Sequence, residues 1–269
     1  MKKKYLYLKI IILTGYLFTL LSCNPFVNSA NDVNDKQLEK INLPDGFNIH
    51  VYANEVKGAR SMTLGTQGTL FVGSRKEWKV YAIIDSDGDY KADKTFIIGS
   101  GLNQPNGVAF RKDALYVAEI NKIWKYESIE DNLSSPTEPV LINDQYPDDT
   151  QHGWKYIAFG PDDKLYVPVG APCNICLSSD SIYASITRMN PDGSNKEIFA
   201  HGIRNTVGFD WHPADSVLWF TDNGRDWLGD NQPPDELNRV YEENLHFGYP
   251  FCHGKEIEDP EYGEQRNCN

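Results

Sequence analysis

Three short segments of this 269-residue chain hold residue types suited to moving a proton and gripping an oxygen-rich ligand. In Gln151-His152-Gly153-Trp154, a neutral imidazole at pH 7 could take a proton from a hydroxyl; a loop histidine satisfied by backbone groups is the plainer alternative. In His201-Gly202-Ile203-Arg204-Asn205, Arg204 and Asn205 offer a charged fork and an amide to a carboxylate or carbonyl, or Arg204 pairs with one of the many acids. Asp222, Asp226, Asp230, Asp235 and Glu236 make an oxygen-rich stretch that suits Ca²⁺ or a solvated turn. A separate run, Asp85-Ser86-Asp87-Gly88-Asp89-Tyr90-Lys91-Ala92-Asp93, places Asp85, Asp87, Asp89 and Asp93 like the start of a calcium loop. Tyr90 and Phe96 stand where an EF-hand needs Gly and Glu, so it is not an EF-hand.

A repeat must position these groups. One phrase, a strand, a polar turn and then Leu-aromatic-apolar, recurs four times, aligned on Leu70, Leu115, Leu165 and Leu218. The strands before the turns repeat as well: Ser61-Met62-Thr63-Leu64, Gly107-Val108-Ala109-Phe110, Tyr156-Ile157-Ala158-Phe159 and Val207-Gly208-Phe209-Asp210. Later strands such as Lys122–Tyr126 and Ile186–Asn190 end many of the units. Units of about 50 residues with three or four short strands predict an all-β propeller of four-stranded blades, with a β-sandwich as the alternative. In such a ring the loops at one end converge, so groups far apart in sequence can meet. Residues 41–269 suffice for about four to five blades, which predicts an incomplete, C-terminally truncated ring.

The first 22 residues read as a lipoprotein signal peptide: Lys2-Lys3-Lys4, an apolar run from Ile10 to Leu21, then Leu20-Leu21-Ser22-Cys23. Cys23 would carry the lipid, and residues 23–40 would be a polar tether. Asn24 after the cysteine fits the outer membrane of a Gram-negative cell, with the protein on the periplasmic face. Cleavage removes Lys2, Lys3, Lys4 and Lys9 and no acid, taking the formal charge from −12 to −16. So acidic a chain, with no basic stripe, is set apart from nucleic-acid binding. Four cysteines remain; export favours disulfides 173–176 and 252–268 over a Cys₄ zinc site, because the second pair lacks the two-residue spacing.

Together these segments resemble the glucose/sorbosone dehydrogenase family, soluble quinoproteins on a six-bladed propeller. The resemblance is carried by Leu102 with Gln104-Pro105-Asn106-Gly107, His152-Gly153, Phe159-Gly160-Pro161-Asp162, Arg188-Met189-Asn190-Pro191-Asp192-Gly193, Arg204-Asn205 with Gly208, and Asp222-Asn223-Gly224 leading to Pro234-Asp235-Glu236. It implies oxidation of an aldose or related alcohol to its lactone or acid, with hydride passing to pyrroloquinoline quinone and electrons then to a periplasmic acceptor. His152 would be the general base, Arg204 and Asn205 would contact the quinone, and backbone carbonyls near Gly224 and Arg225, with Asp222, would hold Ca²⁺. Val207 stands where better-known members have Gln, and Arg225-Asp226-Trp227 where they have Pro and glycines; Val207 and the long Asp/Pro loop resemble a sorbosone-type subgroup. A noncatalytic ligand-binding propeller and a calcium-dependent lactonase-like hydrolase are the other readings.

Overall fold

The computed structural model describes residues 35–269 apart from 255, 267 and 269; the signal peptide, Cys23 and the start of the tether lie outside the described residues. Within the stretch read as tether, Asp35–Leu38 forms one helical turn, α1. No helix among the described residues is long and apolar enough to cross a membrane.

The expected repeat folds as blades of antiparallel strands joined in sequence order. Blade 1 is β1 (Ala59–Leu64), β2 (Leu70–Ser74), β3 (Lys79–Ile84) and β4 (Lys94–Ser100). Blade 2 is β5 (Gly107–Arg111), β6 (Ala114–Ala118), β7 (Ile123–Tyr126) and β8 (Val140–Asn143). Blade 3 is β9 (Ala158–Phe159), β10 (Leu165–Val169), β11 (Ser185–Met189) and β12 (Glu197–His201). Blade 4 has three strands, β13 (Phe209–Trp211), β14 (Leu218–Asp222) and β15 (Glu236–Val240), and a ribbon of β16 (Cys252–His253) and β17 (Ile257–Glu258) follows. The protein is an all-β, incomplete propeller. The aligned leucines all fall on the second strand of a blade, whereas β7 and β11, read as blade ends, are third strands with a fourth outside them.

The core consists of the faces between blades. Leu115 and Val117 of blade 2 pack on Phe71, Val80 and Ala82 of blade 1, where Phe71 and Phe110 stack with ring centroids 5.7 Å apart. Tyr116 and Ala118, on the opposite face of β6, join Leu165, Val167 and Met189 of blade 3. Tyr166 and Ile186 then meet Phe209, Leu218 and Phe220 of blade 4. Alternate residues of β6 and β10 thus face different neighbours, the period-2 pattern of a strand buried on both sides. Among the described residues blade 1 has no such neighbour on its other side: residues from Tyr52 to Val56 cover Val72, Tyr81 and Ile83, while Met62, Leu64 and Ile97 stay exposed.

A large-to-small change is therefore expected to cost most between blades. Leu115→Ala, at a side chain 0% exposed, should lower unfolding free energy by about 2–5 kcal/mol, while Met62→Ala, 59% exposed, should change it by under about 0.5 kcal/mol. Urea denaturation of both variants checks this, and equal losses would contradict the packing described.

Candidate functional site

His152 lies on the segment that leads from β8 into β9, with a left-handed backbone (φ 51°) matched by Gln104 (φ 51°) at the equivalent place before β5. Its Nδ1 is 2.8 Å from the carbonyl oxygen of Ala171, in the loop after β10. A carbonyl only accepts, so Nδ1 carries the hydrogen and Nε2 keeps its lone pair. Burial lowers the imidazole pKa below the usual histidine value, the Ala171 hydrogen bond opposes that, and Arg204 adds to it. The ring is therefore neutral at pH 7. The close approach needs a glycine beneath the ring, since a Cβ on Gly170 would stand 2.5 Å from the His152 Cβ.

Ala171 also donates its N–H to the carbonyl of Arg204 (2.8 Å), tying the base to the loop between β12 and β13. Asp222, at the end of β14, fixes that loop: its carboxylate accepts the backbone N–H groups of Arg204 (2.9 Å) and Asn205 (2.6 Å). Burial pushes Asp222 up to about 7 against the pull of those two donors, and Glu236 pushes in the same direction.

The Arg204 side chain, 4% exposed, is held by protein. Nε donates to the Asn174 carbonyl and Nη2 to Asn174 Oδ1, both at 2.8 Å, while Nη1 donates to the Asn223 carbonyl at 3.0 Å and Nη2 reaches Asp226 at 3.4 Å. Four of its five N–H groups are so engaged, which leaves one for a ligand. Asn174 sits inside the Cys173–Cys176 disulfide, and the Tyr249 hydroxyl accepts the Cys176 N–H. The Asn205 amide, by contrast, makes no side-chain hydrogen bond among the described residues although only 8% of the residue is exposed, and the buried Thr206 Oγ1 has no partner. The Asn205 amide is thus free for a ligand, whereas Thr206 Oγ1 is closed off by protein.

The structure thus brings His152, Arg204, Asn205 and Asp222 together through backbone links. Gly224 donates its N–H to Asp235, and the Arg225 guanidinium is committed to Asp259 (2.5 Å) and Glu261 (3.0 Å). Asp85, Asp87 and Asp89 converge with ligand atoms within 4.8 Å, on the turn between β3 and β4, while Asp93 accepts the Ser86 N–H. Both expected disulfides, Cys173–Cys176 and Cys252–Cys268, are formed. Sequence reading missed Asn174, whose flanking cysteines suggested only a clip, and Lys155. A cavity of about 160 Å³, walled by Ala171, Cys176, His201, His246, Tyr249 and Phe251, does not include His152.

A family described as a domain of unknown function, DUF7133, matches residues 33–250. The chain belongs to this family. An uncharacterized protein of Borreliella burgdorferi is 28% identical over 249 residues, which span 88% of this DUF7133 chain and 64% of that protein. Among solved structures, the holo PQQ domain of pyranose dehydrogenase from Coprinopsis cinerea superposes with TM-score 0.63 at 15% identity, covering 79% of this chain and 58% of that one. The PQQ-bound aldose sugar dehydrogenase of Streptomyces coelicolor gives 0.60 at 22% identity, over 77% and 66%. The apo soluble aldose sugar dehydrogenase of Escherichia coli gives 0.59 at 16% identity, over 77% and 67%. The DUF7133 chain therefore has the fold of the PQQ-dependent dehydrogenase-like propellers and spans roughly three-fifths to two-thirds of the relatives it matches.

Lys155, three residues after His152, is 2% exposed and donates only to the Gly153 carbonyl (3.0 Å), with Tyr146 under its ammonium at 5.3 Å. Burial lowers its pKa to about 7. Between that value and the usual lysine value the unfolded chain holds a proton that the folded chain lacks, so this residue makes stability rise with pH over that window and costs most below pH 7. Lys155→Met is expected to remove that rise and to stabilise the protein at pH 6 by up to about 5 kcal/mol. Denaturation of both proteins at pH 6, 8 and 10 checks it; parallel pH profiles would contradict it.

Proposed function

We propose that this chain carries the proton-accepting side of a quinone-dependent oxidoreductase that acts on an aldose or a related alcohol. The observation that carries the reading is His152: a neutral imidazole, oriented through Nδ1 by Ala171, with Nε2 open, on the same backbone link as Arg204 and Asn205. In this reading Nε2 takes the proton of the hydroxyl on the carbon being oxidised. The Asn205 amide and the one remaining Arg204 N–H fit the oxygens of pyrroloquinoline quinone. When bound, that cofactor supplies the two-electron acceptor for the hydride leaving the same carbon. The buried, pre-set Arg204 contributes its charge without having to reorganise.

The backbone carbonyls of Gly224 and Arg225, beside Asp222, are proposed to hold Ca²⁺, and an adjacent dication would favour the ionised form of Asp222 that burial disfavours. Asp85, Asp87 and Asp89, with Asp93 near them, are proposed as a separate calcium loop. The two disulfides support an oxidising compartment, in keeping with a proposed lipid anchor at Cys23 on the periplasmic face of the outer membrane and a periplasmic electron acceptor. The likeness to sugar dehydrogenase structures supports the substrate class at the level of fold.

The test is dye reduction by the full chain with pyrroloquinoline quinone and Ca²⁺, over a panel of aldoses and alcohols. Turnover is expected to fall about 10²–10⁴-fold in His152→Ala with cofactor affinity retained. No dye reduction by the wild type, or equal turnover by the variant, would overturn the reading; ligand binding without turnover would favour a noncatalytic propeller.

A further inference from the structure

Two cations next to the site take part in none of the interactions described so far. The guanidinium carbons of Arg60 and Arg75 lie 4.7 and 4.9 Å from the ring centroid of one side chain, Trp154. Three hydrogen bonds bring these residues together. Buried Asn106 donates from Nδ2 to Ser61 Oγ (3.2 Å) and to the Lys155 carbonyl (2.6 Å), and the Ser74 N–H donates to the Pro105 carbonyl (3.0 Å). Arg60, Trp154 and Arg75 are the chain neighbours of Ser61, Lys155 and Ser74. Blades 1 and 3 are thus laced across blade 2 at the level of Gln104, and Trp154 stands two residues from His152 along the chain.

Arg111, Arg188, Arg204 and Arg225 each reach a carboxylate. Arg60 and Arg75 have none within 4.0 Å among the described residues, and neither have Arg239 and Arg266, but of these four only Arg60 and Arg75 share one ring, in a chain of formal charge −12. Arg75 Nε has only the neutral Gln104 Oε1, at 3.4 Å. Like charges sharing one ring repel each other, and a cation–π contact returns about 0.5–2 kcal/mol apiece. A carboxylate set between the forks would relieve that repulsion and satisfy their N–H groups in the bidentate geometry arginine favours.

We infer that Arg60 and Arg75, stacked on Trp154, form a binding site for a ligand carboxylate. This site stands on its own geometry and does not rest on the oxidoreductase reading. The carboxylate could belong to a tricarboxylate cofactor such as pyrroloquinoline quinone or to an acidic sugar, and the recognising chemistry is the same in both.

The experiment follows the Trp154 indole N–H by ¹H–¹⁵N NMR in the full chain, assigned with Trp154→Phe, during titration with pyrroloquinoline quinone, D-glucuronate and, as neutral control, D-glucose. A carboxylate probe is expected to shift the signal where glucose does not, and its affinity to fall at least 10-fold in Arg60→Met/Arg75→Met. Arg60→Lys/Arg75→Lys, which keeps the charge and loses the fork, should recover part of that affinity at unchanged thermal stability. A response to the quinone alone assigns the carboxylate to the cofactor, and a response to glucuronate alone assigns it to an acidic sugar and counts against the quinone reading while this site stands. No carboxylate-dependent shift, or affinity unchanged in the double variant, would overturn the inference, the latter leaving a quinone site elsewhere intact.

Discussion

The site depends on one peptide unit pair, the main chain of Ala171, which accepts a hydrogen bond from His152 and donates one to Arg204. Because a carbonyl can only accept, that contact decides which imidazole nitrogen carries the hydrogen and therefore which one is free for chemistry. Because the same residue donates onward, the base and the Arg204-Asn205 turn move as one body. Asp222 extends the body to blade 4 and Asn174 to the disulfide loop, so a long arginine side chain is held in one orientation. Charged and polar groups fixed in this way before a ligand arrives need little reorganisation when charge develops near them.

The scaffold that makes the arrangement possible is the stacking of blades. Residues on alternate sides of β6 and β10 belong to different interfaces, so blades 2 and 3 are each fixed by two neighbours and their loops inherit that fixity. The ring is incomplete, and the residues of interest sit on the blades that have neighbours: His152, Ala171 and Asn174 on blade 3, Arg204 and Asn205 on the link into blade 4. Lys155 shows how firmly this region is packed. An ammonium kept there with a single carbonyl partner is tolerated only because the surrounding apolar contacts outweigh its cost.

Much of the fold was legible because it is periodic. Leu70, Leu115, Leu165 and Leu218 recur in one local phrase, and all four begin or nearly begin the second strand of a blade. The missing fourth strand of blade 4 and the β16–β17 ribbon follow no repeat, so nothing in the pattern could announce them. The site was legible by residue type and not by use. His152 and Arg204 stood out as a base and a cation, but that Arg204 spends most of its donors on Asn174 and Asn223 depends on loops that meet only after folding. Arg225 is a similar case: the sequence offered its backbone carbonyl to a metal, and that its guanidinium clasps the buried Asp259 shows only after folding. Arg60, Arg75 and Trp154 are separated by up to 94 positions and share no motif, so only the lacing through Asn106 brings them together.

The central claim is that His152 is a neutral imidazole with its hydrogen on Nδ1 and Nε2 open. Two-bond ¹H–¹⁵N correlation spectra of the ¹⁵N-histidine-labelled protein at pH 7, with His152 assigned through His152→Gln, report the tautomer directly. The Nδ1–H form with an unprotonated Nε2 is expected, and an Nε2–H tautomer or an imidazolium at that pH would overturn the role given to His152.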